Sequence, residues 1–580
     1  MAAITTLLTA AIRTVVAGAP GTSLLASLTL FSLFAACGGG GGEDGPLPPP
    51  ICEGEIEVPD PQLRALLLEI LADPEASEDT DTDTGGEPVL TAEALLRING
   101  LQAADQGVAD LTGLECAREL TSLGLAGNAV TSLDPLATLS KLRELELSSN
   151  PLTDLDALIH LGALEKLVLA GTGVGDLSVL RKLVALRHLD VAAGTVTDLG
   201  PLAKLTSLES LVLSDNQLVD LTALAELDAL FALEIDGNAI ADIEPLAGLV
   251  GLEYLDLDDN QLISLAPLAG LTHLRDLEAS SNMLTDTAGL ADKPQLVELS
   301  LEGNQIAALG DLRGLDSLVT LDLDANALTT LAGVAAVTRL RTISARANAL
   351  TDIGAVATLT SLRSLDLRDN PGLVVLAPIQ SLVALDFLGA GGHALPQDLA
   401  PLTGLPLLRQ VILADTGTTD YTPLSTLPAL RKLDLGGAAF DDADLAALAT
   451  VVGLTDLNIH GTAITDLGPL APLVDLVTLD ASVTAVASLA PAVNWTAIET
   501  LDLAGTRVAD LAALSALKLL HGLDVSDTKV ASLAPLALNE YFRRGDHVNA
   551  TGAALDADDC PDILALRARE AVVDTELACE

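Results

Sequence analysis

From Leu101 onward the apolar positions recur in a fixed pattern. Pairs of the form Leu-x-Leu, at Leu123 and Leu125, Leu145 and Leu147, Leu167 and Leu169, Leu189 and Val191, Leu211 and Leu213, stand 22 residues apart, and this register holds through Leu365 and Leu367. The spacing then stretches to 23, 23, 22 and 24 through Leu388, Val411, Leu433 and Leu457, and returns to 22 for Leu479, Leu501 and Leu523. With Leu101 in front and Val548 behind, residues 101–550 count about 21 units. Each Leu-x-Leu predicts a short strand with two side chains inward and one outward. A unit this small cannot close a core by itself, so neighbours stack and share one. Strands stacked at about 4.8 Å make a concave surface on the order of 100 Å long.

One unit reads Leu133, Leu136, Leu139, Leu142, Leu145 and Leu147, followed by Asn150. This resembles the leucine-rich repeat, L-x-x-L-x-L-x-x-N. The 22-residue length and the recurring Asp-Leu-x-Pro-Leu-Ala half resemble the short class found in internalins and other secreted bacterial proteins. The resemblance implies an α/β repeat solenoid, a right-handed horseshoe or arc with a parallel concave sheet and short or absent convex helices. Ten units carry the Asn, from Asn128 to Asn370, and six carry Thr instead: Thr172, Thr416, Thr462, Thr484, Thr506 and Thr528. An inward Asn amide both donates and accepts, so it can join adjacent coils; Thr does so less fully. Residues 371–460 break this ladder with His393, Thr416 and Ala438, and predict either a bend or a junction between duplicated blocks.

Both ends are expected to be capped. In residues 51–100, Leu66, Leu67, Ile70 and Leu71 predict an amphipathic helix, similar to the cap preceding internalin-type repeats, interrupted by an acidic surface insertion at 73–88. In the C-terminal cap, 551–580, Pro561 opens a helix through about Val573. Two cysteines lie at each cap: Cys52 and Cys116, Cys560 and Cys579. The distance between caps leaves Cys52–Cys116 and Cys560–Cys579 as the pairs an exported protein would form, with free buried thiols as the alternative.

The first residues read as an address. Leu24 to Ala36 is an apolar run too short to span a membrane and suited to a signal peptide, 1–36. Leu33-Phe-Ala-Ala-Cys37 resembles the lipobox of bacterial lipoproteins, which implies lipidation of Cys37. Gly38 to Pro50 then forms a Gly/Pro tether, 37–50. The expected place is the cell envelope, as an outer-membrane lipoprotein or at the cell surface. The alternative is a secretory signal cut nearby. The chain lacks the wall-sorting motif of internalins, so host invasion does not follow from the resemblance.

Charge narrows the function. With 29 Lys+Arg against 81 Asp+Glu the net charge is −52, which excludes nucleic-acid binding on any simple reading and repels anionic membranes except through an N-terminal lipid. Aromatics are only 2% of a chain that is 49% hydrophobic, as thin leucine-filled coils require. Trp495 takes a convex leucine position and reads as core. The histidines are scattered, and no nucleophile, base and orienter group together, so neither an enzyme nor a cofactor or metal is expected. Asp79 to Gly85 lacks the glycine and glutamate of a calcium loop, and Arg544-Gly545-Asp546 is a three-letter match to an integrin motif.

The outward strand positions are where acids gather: Glu234, Asp236, Tyr254, Asp256, Asp258, Asp276, Glu278, Glu298, Glu302, Asp322 and Asp324. Arg346 and Arg368 then reverse the sign, and Asp434, Asp480, Asp502 and Asp524 restore it. Like charges one coil apart repel, so a cationic partner or counter-ion would relieve them. The expectation is a monomeric binding protein whose acidic concave face engages an unidentified protein, one with a basic surface. The rivals are a structural envelope component whose acids serve solubility, and a calcium-dependent adhesin.

Overall fold

The computed structural model describes residues 52–72, 89–393 and 397–579. The expected signal peptide 1–36, Cys37 with its tether 37–50, and the acidic insertion 73–88 lie outside the described residues. Among the described residues, every strand pairs in parallel with the next along the chain, from Gly100–Gln102 to Val572–Asp574, in one 22-stranded sheet. The partner offset is the repeat length: Gly100 pairs with Ser122, and Tyr254 with Asp276. The longer spacings pass through without a break. Ser364 pairs with Phe387, Phe387 with Gln410, and Lys432 with Asp456. The stretch 371–460 therefore keeps its place in the sheet.

Each strand is three residues long and centred on the first apolar residue of the Leu-x-Leu pair, so that one side chain is buried and two flank it outward, against the expected two inward and one outward. The second Leu lies just past the strand end, where the chain turns and buries it in the core. The return half is mostly short 3-10 helix, many with Pro in the first turn, where its missing N–H costs nothing. The Asp two residues before such a helix accepts its first N–H: Asp198 from Gly200 at 2.8 Å, Asp242 from Glu244 at 2.9 Å, Asp466 from Gly468 at 2.8 Å. Asp176 and Asp220 are held below the usual carboxylate range by the N–H and hydroxyl of Ser178 and Thr222. One column of acids is thus capping chemistry and has no part in the concave charge.

The asparagines tie coil to coil. Asn260 Oδ1 accepts from Ile240 N–H at 3.0 Å, and its Nδ2 donates to the Ile235 carbonyl at 2.9 Å, both in the preceding coil. Asn128, Asn150, Asn216, Asn282, Asn304 and Asn348 repeat this pair of bonds. Thr at this place donates only within its own coil, as Thr172 does to the Leu169 carbonyl and Thr462 to the Ile459 carbonyl. Where Thr416 and Ala438 stand, Tyr421 and Phe440 fill the core edge-to-face, with ring centroids 5.0 Å apart. The extra residues near Ala438 become a helix, Asp442–Leu448, started by an Asp441/Asp444 capping box.

The N-terminal cap is the helix Pro61–Ala72, buried through Leu63 and Leu67, with a second short helix at Ala92–Leu95. Asp60 joins it to the first coil. Its carboxylate accepts N–H groups from Gln62 and Leu63 at the helix start and from Ala109 and Asp110 in the array. Burial pushes the Asp60 carboxyl up, but those four N–H groups outweigh it and hold it below its ordinary value. Disulfides join Cys52 to Cys116 and Cys560 to Cys579. The C-terminal helix differs from expectation. It runs Cys560–Arg567, not to Val573; the chain turns at Glu570 (φ 65°), and Val572–Asp574 add a last strand to the open sheet edge. Ala571 and Val573 are buried there, and the adjacent β-branched Val572 and Val573 favour an extended strand over a continued helix.

Candidate functional site

The parallel register turns the outward positions into columns. Glu234 stands beside Asp256, Asp256 beside Glu278, Glu278 beside Ser300, and Ser300 beside Asp322. The column on the other side of the central Leu holds Tyr254, Asp276, Glu298 and Thr320. A third, just past the strand ends, holds Asp236, Asp258, Ser280, Glu302 and Asp324. All eleven sequence-predicted residues therefore lie on one face, but they are not equally close.

The centre is Asp256, Asp258 and Glu278, each with a carboxylate oxygen within 4.8 Å of the others. Local bonds order it. Asp256 Oδ1 accepts from Asp258 N–H at 3.0 Å, and Asp258 Oδ1 from Ser280 N–H at 2.5 Å. Burial raises the Asp256 carboxyl to about 8, helped by Asp236, Asp258 and Glu278 and opposed by the Asp258 N–H. Glu234 rises to about 7 from burial and the charges of Asp236, Asp190 and Glu278. Asp236 rises as well, mainly from burial, although Ser214 Oγ donates to it. Burial and the surrounding acids also push the Tyr254 hydroxyl up. Three carboxylates at this spacing could chelate a divalent cation, or together receive a lysine or arginine head group.

Asp322 and Asp324 form a second group. Burial, Asp324 and Glu302 raise Asp322 to about 6, while Arg346 pulls it down. Asp324 Oδ1 accepts from Ser344 Oγ and Arg346 N–H, each at 2.6 Å. Glu298 and Glu302 are exposed; Glu302 still acts on Asp322, while Ser300 interrupts the column between Glu278 and Asp322 and separates the two groups. The sign change farther on is neutralised locally. Arg368 is bidentate on Asp366 (2.9 and 2.5 Å), and Arg346 lies 3.7 Å from Asp369.

Beyond it the concave face deepens into a groove of about 540 Å³ lined by Asp434, Asp456, Asp480, Asp502 and Asp524 with Thr478, Thr500 and Gly522. The recurring Asp one place after the central apolar residue, from Asp434 through Asp480, Asp502 and Asp524, is the signal for it that the sequence carries. Asp502 is raised by burial and by Asp480 and Asp524. Asp190 is also raised by burial and belongs to the same acid column as Glu234, two strands earlier. Trp495 is fully buried, its indole N–H donating to the Leu470 carbonyl at 3.0 Å. Arg544, in the three-letter integrin match, pairs with Glu570 at 3.0 Å.

Two family models match segments of the array: "Leucine Rich repeats (2 copies)" over residues 118–160, and the leucine-rich repeat of "Leucine-rich repeat and WD repeat-containing protein 1" over 241–313. The chain is built of leucine-rich repeats. No curated protein matches its sequence. Among solved structures, the plant peptide hormone receptor RGFR1 in complex with RGF2 is 19% identical over 80% of this chain and 84% of its own, with a TM-score of 0.56. That likeness shows the solenoid fold. Two Listeria monocytogenes internalins are also similar. One, inlF, is 24% identical over 73% of this chain and 95% of its own (TM-score 0.41). The other, inlC2, is 35% identical over 38% of this chain and 94% of its own (TM-score 0.36). A leucine-rich-repeat solenoid is a binding scaffold: it presents one long sheet face and holds it rigid. Among the described residues no helix is long and apolar enough to cross a membrane.

Proposed function

We propose that this leucine-rich-repeat protein is exported, lipid-anchored through Cys37, and binds a basic protein segment on its acidic concave face. One observation carries the reading. Glu234, Asp256 and Glu278 are stacked at strand spacing and partly desolvated, and two of them are raised to about 7 and 8. A cation delivered there lowers the cost of ionising them, so binding energy is already stored in the free protein. The two disulfides and the apolar run before Cys37 support export.

The test is fluorescence anisotropy of a labelled lysine-rich peptide with the native protein and with Asp256→Asn/Asp258→Asn/Glu278→Gln. Salt-sensitive binding that weakens at least tenfold in the variant is expected. Equal binding by both proteins sinks the concave-face assignment. A rise in melting temperature with millimolar calcium, without peptide binding, would favour the calcium-dependent adhesin. No response to either would favour a structural component. Intact mass of the native protein beside Cys37→Ala tests the anchor, through a lipid-sized increment that the variant lacks.

A further inference from the structure

A second charged surface, of the opposite sign, runs along the edge of the sheet where the strands begin. The residue two places before each central Leu is stacked on its counterpart in the next coil by a direct backbone bond. Arg363 N–H donates to the Arg341 carbonyl, Asp386 to Arg363, Arg409 to Asp386 and Arg431 to Arg409, all at 2.8 Å. In the first half of the array this column alternates in sign and neutralises itself: Arg143 pairs with Glu165 at 2.8 Å, Arg187 with Glu209 and Arg275 with Glu253.

From Arg341 to Arg431 the alternation fails. Four of five successive places are Arg, all exposed. Asp386 reaches only Arg409, at 3.6 Å, and Arg341, Arg363 and Arg431 make no ion pair among the described residues. The five strand-entry segments (338–342, 360–364, 383–387, 406–410 and 428–432) hold six basic residues and one acid, in a chain with 81 acids against 29 bases. Like charges one coil apart destabilise a sheet edge, and nothing in the packing requires them, since the column is solvent-exposed.

We infer that this arginine ridge, Arg341, Arg363, Arg409 and Arg431, is a docking site for an acidic polypeptide segment, separate from the concave face. The guanidinium fork matches a carboxylate bidentately, and Arg rather than Lys fills all four places. Four strand intervals span about 20 Å, the length of roughly six extended residues. A flat anionic membrane laid on this edge would also meet Glu209 and Glu253 before the ridge and Glu499 after it. A long nucleic acid would meet the same acids, whereas a short acidic segment fits between them.

The experiment is anisotropy of a labelled hexaglutamate peptide on the full chain at low salt. The native protein should bind it, binding should weaken with added salt, and Arg341→Glu/Arg363→Glu/Arg431→Glu should lose at least tenfold. Arg181→Glu, an exposed arginine away from the ridge, should bind as the native does. Circular dichroism melting accompanies each variant. If the triple variant is unfolded, Arg363→Gln alone should still weaken binding about threefold. Absence of peptide binding, equal binding by the ridge variants, or tighter binding of a single-stranded oligonucleotide or an anionic vesicle at the same salt would overturn the assignment.

Discussion

Lys293 occupies a place that Leu271 and Leu315 hold in the coils on either side, and it is fully buried. Its Nζ donates to the Leu268 carbonyl at 2.8 Å. Burial pulls the ammonium down to about 8, with Asp292 opposing. The indole of Trp495 makes the same reach, to the Leu470 carbonyl one coil back. The position is therefore a leucine site that tolerates a donor, and a charged donor is the costly version. Replacement by Leu is expected to stabilise the protein by about 1 kcal/mol at pH 7. Because the folded-state value lies below that of the unfolded chain, the penalty is largest below pH 8 and fades as the lysine deprotonates in both states. The gain from Lys293→Leu in urea melts should thus shrink between pH 7 and pH 10; a constant gain would mean that packing alone explains it.

At the scale of the element, adjacent coils are joined by the sheet, by leucine contacts and by the asparagine bonds. The Asn-bearing coils have two side-chain bonds to the preceding coil that Thr-bearing coils lack, so the array is bonded more firmly toward its N-terminal half. Asn282→Thr removes the acceptor for Leu262 N–H and the donor to the Leu257 carbonyl. Two buried groups then lose partners, at a cost of about 2–3 kcal/mol. The reverse change, Thr484→Asn, is expected to be neutral or stabilising, because the coil spacing there is the same 22 residues. Urea unfolding of the two variants checks both signs, and hydrogen exchange should show the loss centred on the coils beside Asn282.

For the whole molecule, charge makes stability depend on pH in two opposing windows. Glu234, Asp256 and Asp322 have folded-state values of about 7, 8 and 6, above those of the unfolded chain. The folded protein therefore holds more protons than the unfolded one between about pH 4 and 8, and stability falls as pH rises through that window. Asp60, Asp442 and Asp456 are held below their ordinary values, and their contribution is lost as pH falls below about 4. The melting temperature is expected to peak near pH 5 and to decline toward pH 8, with Asp256→Asn flattening the decline. A curve that rises from pH 5 to 8 would contradict the carboxylate geometry of the concave face.

Much of this was legible because the repeat period is itself the strand register: Leu123, Leu145 and their successors mark the sheet, and the cysteine placement marks the caps. The same period put Glu234, Asp256 and Glu278 on one face. Spacing and side-chain type alone set the solenoid, the inward ladder of Asn128 to Asn370 and the sign of the concave charge. Only the folded chain shows what depends on distance and burial: that Asp256, Asp258 and Glu278 converge while Glu298 and Glu302 stay exposed outside that cluster, and that Asp60 bridges cap and array. It also shows that Lys293 lies in the core, and that Val572–Asp574 leave the helix for the sheet edge. Periodicity assigns a residue to a face, but hydrogen bonds and desolvation, which set its energy, arise only when neighbouring coils meet.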